Sequence, residues 1–219
     1  MKRTGRYDTS ELIEGQFEPG SRGRVLRNLV GIESKREMDV LESKELVRTF
    51  KKFINIYDKN HQFTATDLCI MHKEWLGSIY SWAGRYRQVN LIKGDFSFAA
   101  AHLLPGLMND FERKYLAVYT PCRVSPKKEI IHALAIVHAE LLLIHPFREG
   151  NGRLARMLAS LMALQVELPP LEFDILKGKK KQEYFFAVQS GLNQNYELME
   201  KIFGEVIEWT LRQRGQPYL

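Results

Sequence analysis

The chain has 219 residues, of which 45% are hydrophobic and 26% are charged, as expected of one globular domain with a sizeable core. Its net charge of +6 favours anionic partners, although many enzymes share such a balance. Two cysteines and the lack of a long apolar run exclude a disulfide scaffold and a membrane-spanning protein, so we expect a soluble protein of the cytoplasm.

The first predicted elements are an N-terminal segment and two helices. Residues 1–23 resemble an appendage, with a short helix over 10–16, and the remaining chain, 24–219, is expected to form one domain. Apolar residues at helical spacing predict a helix over 33–57. A cap-like Thr-Ala-Thr-Asp sequence then opens a second predicted helix over 64–82.

The strand signal of the chain lies in residues 88–98. Apolar and polar residues partly alternate there around Gly94, which predicts a short β-hairpin. Helical spacing then returns in five segments, at 103–119, 125–144, 153–167, 181–192 and 196–214. The predicted fold is therefore mainly α, a compact helical bundle that carries one β-hairpin.

The stretch IHPFREGNGRLARML, residues 144–158, combines features of an anion-binding active site. Proline cannot continue a helix, so His145 is expected at a helix end, where its imidazole suits proton removal from a hydroxyl. Gly150 and Gly152 open the next helix and permit a tight turn of backbone N–H groups beside the positive helix end. This arrangement favours a bound phosphate.

The charged residues of the same stretch indicate a polyphosphate and a metal ion. Arg153 and Arg156 share the first turn of the helix, where each opposes the helix dipole by about 0.3–1 kcal/mol. A bound triphosphate would offset that cost. Glu149 has the wrong sign for phosphate but suits Mg²⁺, which one or two carboxylates and phosphate oxygens commonly hold. Together with a base, these groups indicate attack on a nucleotide phosphate.

The run HPFREGNGRLAR, residues 145–156, resembles the signature of the Fic family, HPFx(D/E)GNGRxxR, at every specified position. The similarity extends to RVLRNLVGI at 24–32 and to WAGRYR at 82–87, which resembles the approach to the flap of the family. It covers roughly residues 24–213. The resemblance implies a Fic-type helical bundle in which the predicted hairpin is the flap.

Fic proteins mostly transfer AMP from ATP to a Ser, Thr or Tyr hydroxyl, so the resemblance implies a protein adenylyltransferase that uses ATP and Mg²⁺. It makes His145 the general base and Glu149 the Mg²⁺ ligand. A target protein would bind along the flap by adding a strand to it. The implied nucleotide-binding residues come from the loop, the helix start, the flap and a later helix: Glu149, Gly150, Asn151, Gly152, Arg153, Arg156, Lys93, Gly94, Tyr184 and Phe185.

Ser10 and Glu14 resemble the inhibitory motif of the family, (S/T)xxxE(G/N). In that motif the glutamate pairs with the second motif arginine, here Arg156, and displaces the γ-phosphate. The two residues are four apart and therefore share one face of a helix. An ordinary capped surface helix is the alternative, and control would then come from a separate regulatory or antitoxin protein.

Three other functions remain open from the sequence. The Doc branch, a kinase, carries lysine in place of the second glycine, whereas Gly152 here favours AMP transfer. The lysine-rich run 177–181 suggests a basic module without catalysis, although we expect a solvated loop rather than a nucleic-acid partner. An idle scaffold that holds peptides on the flap is the third. His132 and His138 lack zinc-site spacing and are expected between helices.

Overall fold

The computed structural model describes residues 11–178 and 180–215 of the chain. Within them, the regular structure consists of helices and one two-stranded antiparallel hairpin, which confirms the predicted mainly α fold. The elements in chain order are α1 (Lys35–Ile56), α2 (Ala65–Leu76), β1 (Ile92–Lys93), β2 (Phe96–Ser97), α3 (Leu104–Phe111), α4 (Ala117–Tyr119), α5 (Lys127–Ile144), α6 (Asn151–Gln165), α7 (Lys180–Ser190) and α8 (Glu197–Gln213).

Helix α5 forms the centre of the bundle and packs against α3, α6, α7 and α8. It is apolar on nearly all sides, which is typical of a helix buried on all sides. Each fully buried Leu or Ile side chain contributes about 1.5–3 kcal/mol to folding. The end of α5 and the start of α6 are therefore fixed by the core, and the loop between them has two anchored ends.

Two predicted helices differ from those observed. The helix predicted over 64–82 ends at Leu76, because Gly77 closes it with an N–H bond to the carbonyl of Lys73, and turns follow up to Gly84. The helix predicted over 103–119 contains a π-helical stretch, Glu112–Leu116, between α3 and α4. The Glu112 carboxylate accepts a 2.7 Å bond from the Ala65 N–H, so the stretch caps the start of α2.

The hairpin has the predicted position and turn. Ile92 pairs with Ser97 and Lys93 with Phe96, so the strands are only two residues long. Gly94 adopts φ +58° in the turn, a left-handed conformation that favours glycine. We refer to residues 89–99, which include the hairpin and its two flanks, as the flap.

The described part of the N-terminal segment packs on the rest of the chain. Phe17 forms an isolated β-bridge with Leu26, and the Glu18 carboxylate accepts a 3.1 Å bond from the Asn28 N–H. The short helix predicted over 10–16 is a single 3-10 turn, Ile13–Gly15, and Ser10 lies outside the described residues. No helix in the described ranges is long and apolar enough to cross a membrane.

Candidate active site

His145 caps the C-terminal end of α5 in a left-handed conformation, with φ 54° and ψ 59°. Non-glycine residues seldom adopt this conformation, and Pro146 prevents the helix from continuing. The imidazole Nδ1 lies 3.1 Å from the carbonyl oxygen of Leu142. Because a carbonyl can only accept, Nδ1 carries the proton and Nε2 keeps its lone pair. The unprotonated nitrogen is the one available as a base.

Burial keeps the His145 imidazole neutral at physiological pH. It lowers the pKa of His145 to about 4, because a charged ring is disfavoured away from water, while the bond to the Leu142 carbonyl opposes this shift. The ring of Phe98 covers one face of the imidazole, with 3.9 Å between ring centroids. His145 can therefore accept a proton over the whole neutral range.

A cavity of about 610 Å³ lies between the flap, the loop after α5, the start of α6 and α7. Four cationic side chains and one carboxylate are among the residues that line it: Lys93, Arg148, Arg156, Lys181 and Glu149. Leu142, Leu176 and Val188 add apolar surface. The cavity thus pairs a cationic region with an apolar wall, which suits a polyphosphate attached to a flat ring.

Gly150 cannot be replaced without disturbing the loop. It has φ +83°, and a Cβ atom there would lie 2.7 Å from Cζ3 of Trp75. Gly152 differs, since its φ is not positive and the nearest atom to a Cβ there would be Nη2 of Arg156 at 3.9 Å. Both residues line the cavity beside the N-terminal turn of α6. The start of a helix generally offers backbone N–H groups to an anion.

The side chain of Asn151 holds the loop together. Its Oδ1 accepts a 2.9 Å bond from the Phe147 N–H, and its Nδ2 donates a 2.7 Å bond to the Phe147 carbonyl. Asn151 also lines the cavity, and its contact with the nucleotide stays a prediction. The sequence pattern did not distinguish these two roles.

His72, on α2, supports the loop from beneath. Its ring stacks on the fully buried Phe147 at 4.0 Å between centroids. Nδ1 accepts a 2.8 Å bond from the Gly84 N–H, so Nε2 carries the proton and donates a 3.0 Å bond to the Glu149 carbonyl. Burial lowers the pKa of His72 to about 4, which keeps this neutral tautomer. His72 therefore joins α2, a turn and the catalytic loop.

Arg153, predicted to contact the phosphates together with Arg156, is held by side chains from α1 and α2. Its Nη1 forms a 2.7 Å ion pair with Oε2 of Glu42, a buried residue of α1, and its guanidinium lies 4.7 Å from the Trp75 ring centroid. Arg153 is not among the residues that line the 610 Å³ cavity. The position of the Arg153 side chain is explained by Glu42, because a buried carboxylate requires a cation beside it. Arg156 lines the cavity, and its Nε donates to the Gly152 carbonyl.

Glu14 also differs from its prediction. Its carboxylate accepts bonds of 2.5 and 3.0 Å from the N–H groups of Gln88 and Val89, at the start of the flap. Its carbonyl accepts a 2.7 Å bond from Nε of Arg148. The predicted pair between Glu14 and Arg156 is therefore not formed. The 3-10 turn places Glu14 between the flap and the loop, where two backbone N–H groups are available.

The flap and α7 meet over the cavity. Lys93 Nζ lies 4.7 Å from the centroid of the Phe185 ring, and Phe96 packs edge-on against the same ring. Tyr184 lines the cavity, and its hydroxyl is hydrogen-bonded to Nε2 of His138. Gly94 forms the turn of the hairpin and is not among the residues that line the cavity, and its nucleotide contact stays a prediction.

Sequence reasoning missed several residues of the site. Arg148 occupies the unspecified position of the HPFx(D/E)GNGRxxR pattern and for that reason drew no attention, although its charge was a usable signal. Lys181 belongs to a lysine run that was expected to be solvated. Phe98 ends the predicted hairpin, and nothing in its local sequence indicates that it stacks on an imidazole.

The residues present fit a Mg²⁺ ion held jointly with a nucleotide. The Glu149 side chain is 45% exposed and lines the cavity. Its Oε1 accepts a 2.9 Å bond from the Gly150 N–H and lies 3.4 Å from Arg153 Nη2, which leaves Oε2 uncommitted. In the described part of the chain, no three His, Cys, Asp or Glu residues cluster as a metal site. Phosphate oxygens would have to complete the coordination.

The fold and the site together define a helical domain with an HPFREGNGRLAR loop beneath a hairpin flap. Residues 62–163, just under half of the chain, match the family described as Fic/DOC. The protein adenylyltransferase Fic of Nematostella vectensis is 29% identical over 140 residues. The match covers 61% of this chain and 30% of that relative, so the chain spans less than a third of its length.

Solved structures show the same fold. The N-terminal Fic domain of a Bartonella effector protein from Bartonella sp. AR 15-3 has a TM-score of 0.71 at 18% identity and covers 93% of this chain and 94% of its own. The BepC protein of Bartonella tribocorum, solved with bound AMPPNP, has a TM-score of 0.65 at 21% identity. That match covers 83% of this chain and 91% of BepC.

Proposed function

We propose that this chain is a protein adenylyltransferase, which transfers AMP from ATP to a Ser, Thr or Tyr hydroxyl of a target protein. The observation that carries the proposal is the neutral His145, whose free Nε2 belongs to a cavity with four cationic side chains beside the N-terminus of α6. A relative named protein adenylyltransferase and a neighbour with bound AMPPNP support it.

In the proposed step, the target hydroxyl oxygen attacks the α-phosphorus of ATP. The hydroxyl proton passes to Nε2 of His145, the bond from the α-phosphorus to the bridging oxygen breaks, and pyrophosphate leaves. Arg156, Lys93 and Lys181 are the cations placed to hold the phosphate chain. Because phosphoryl-type transfer depends mainly on positioning and charge, these groups account for much of the expected catalysis.

We propose that Glu149 holds Mg²⁺ together with the phosphates, and that the ion neutralises charge on the phosphate oxygens. Tyr184 and Phe185 line the same cavity and offer aromatic surface to the adenine ring. The target segment would pair with an unpaired strand edge of the flap. Ile92 is 70% exposed there and is available for contact with it.

Labelled ATP tests the proposed bond cleavage. The protein, its His145→Ala variant and a cell lysate are incubated with ATP labelled at the α- or at the γ-phosphate. Label at the α-phosphate should reach protein, label at the γ-phosphate should not, and the variant should transfer neither. Transfer of γ-label alone would replace the proposal by Doc-like kinase chemistry.

The remaining alternatives predict other results in the same assay. A nucleic-acid-binding module would label nothing and would bind nucleic acid in a strongly salt-dependent manner. An idle scaffold would capture peptides on the flap without labelling them. Regulation by a separate partner protein remains part of the proposal. Adding candidate partner proteins to the assay tests it, because a regulator should change the amount of α-label that is transferred.

A further inference from the structure

Arg87, in the WAGRYR sequence that precedes the flap, is buried although it carries a full charge. Only 1% of its surface is exposed. Its backbone N–H donates a 2.9 Å bond to the carbonyl of Pro146. A charge is costly to bury unless its hydrogen-bonding groups are satisfied, so the surroundings of this guanidinium need an explanation.

The guanidinium donates to four carbonyl groups from different parts of the site, and its longest bond joins Nη2 to the Ile144 carbonyl at 3.4 Å. Nη1 donates to Val89 at 2.8 Å and Nη2 to Ala99 at 2.6 Å, the two ends of the flap. Nε donates at 2.8 Å to the carbonyl of His145 itself. One side chain therefore fixes both ends of the flap to the residue that serves as the base.

Glu14 supplies a negative charge that interacts with the Arg87 guanidinium. All the bonds of the guanidinium go to neutral carbonyl oxygens, while the buried Glu14 carboxylate binds the N–H groups of the two residues that follow Arg87. Burial lowers the pKa of Arg87, and Glu14 opposes that shift. The N-terminal segment thus helps to keep the cation in place.

We propose that Arg87 is a positioning residue that sets the separation between the flap and His145, and thereby aligns a hydroxyl carried on the flap with the base. This inference rests on the proposed AMP transfer. Arg87 is not among the residues that line the 610 Å³ cavity, so the role does not include nucleotide binding. A lysine could not replace it, because a single ammonium lacks the planar fork that reaches four carbonyls.

The Arg87→Lys variant tests the inference, with Arg85→Lys as the matched control two residues earlier. Arg85 is exposed and donates to the Ser81 carbonyl outside the site. We expect Arg87→Lys to lower kcat/KM for the target about 100-fold, since a misplacement of about 1 Å can cost that much. Nucleotide affinity by calorimetry should stay at the parental value, and amide hydrogen exchange over 90–98 should accelerate.

Other outcomes overturn the inference. If amide hydrogen exchange over 90–98 in Arg87→Lys is as slow as in the parent, Arg87 does not hold the flap. If the variant loses nucleotide binding and labelling to the same extent, Arg87 has a role in folding only. If neither the parent nor Arg85→Lys labels any protein, the proposed AMP transfer fails, while the exchange measurement still decides whether Arg87 holds the flap.

Glu14→Gln provides the test if Arg87→Lys does not fold. It removes the charge but keeps an oxygen for the two N–H groups, so we expect faster flap exchange and weaker target labelling, each smaller than for Arg87→Lys. Unchanged exchange and labelling would overturn the inference. Stronger labelling would also overturn it and would support the inhibitory role that the sequence motif suggests for Glu14.

Discussion

The ring of Phe98 stacks on the imidazole of His145, with 3.9 Å between centroids and 24° between the ring planes. Phe98 directly follows β2, so the end of the flap covers the base. The same contact removes the imidazole from water, and burial is the largest cause of its low pKa. The proton affinity of the base therefore depends on the position of the flap.

Replacing Phe98 by alanine should shift the acidic limb of the pH–activity profile to higher pH. His145 accepts a proton only when neutral, so activity falls as the pH drops through its pKa, which is about 4 in the parent. Exposure in Phe98→Ala should raise this pKa towards about 6.5, the ordinary value. The pH dependence of kcat/KM and an NMR titration of His145 measure it. Phe96→Ala is the control. An acidic limb at the same pH in both variants would contradict the prediction.

Replacing His145 by glutamine should remove transfer and leave nucleotide binding intact. His145 acts through its free Nε2 rather than through a charge, and the cationic side chains of the cavity remain. The loss should be about 10²–10⁴-fold, the usual contribution of a general base. Transfer of α-label and nucleotide affinity by calorimetry are measured side by side. Parental labelling by His145→Gln would remove His145 from the mechanism.

His72 offers two variants with different expected effects. In His72→Asn, an oxygen remains near Nδ1 to accept from Gly84, but the donor to the Glu149 carbonyl is lost. In His72→Gln, the donor near Nε2 remains. Either change should destabilise the fold by about 1–3 kcal/mol, because one buried group loses its partner. Only the asparagine variant should weaken Mg²⁺-dependent nucleotide binding, measured by calorimetry. Equal binding in both would show that His72 does not act through Glu149.

Arg153 and Arg156 should respond differently to the same substitution. Arg153→Gln leaves the buried Glu42 carboxylate without its cation, so we expect a loss of about 3–5 kcal/mol in the free energy of unfolding. Arg156→Gln should weaken nucleotide binding with little effect on stability. Urea denaturation and calorimetry separate the two. Equal stability of the variants would contradict the assigned role of Arg153.

Acid should unfold the protein as the pH falls from about 6.5 towards 4. Burial lowers the pKa of His72 to about 4, of His138 to about 3 and of His145 to about 4. As the pH falls, these histidines are protonated first in the unfolded chain, where their pKa is about 6.5. The free energy of unfolding is therefore full above that pH and declines as the pH drops below it. Each histidine should contribute about 1.4 kcal/mol per pH unit. Urea denaturation at several pH values measures the slope, which His138→Gln should reduce.

The sequence predicted the features of this fold that have local causes. Pro146 ends a helix wherever that helix lies, Gly94 permits a left-handed turn, and apolar spacing marks the buried faces of α1 and α5. The order of base, loop and helix start in residues 145–156 is likewise contained within a few residues. These features required no knowledge of which helices pack together.

The partners of charged side chains could not be predicted, because they come from distant parts of the chain. Arg153 was expected to contact the phosphates, and nothing in its local sequence indicates its ion pair with Glu42, which α1 buries beside it. Glu14 has the spacing of an inhibitory motif, yet the position of its turn directs it to Gln88 and Val89. Tertiary packing decided both.

The two glycines of the loop differ in what the fold requires of them. Trp75 leaves no room for a side chain at Gly150, whereas Gly152 has ordinary backbone geometry and open space around it. Position 152 is also where the related kinase branch carries lysine. A new cation could therefore enter the cavity at this position without any rearrangement of the core. Of the two glycine positions, the scaffold therefore leaves position 152 open to change and closes position 150.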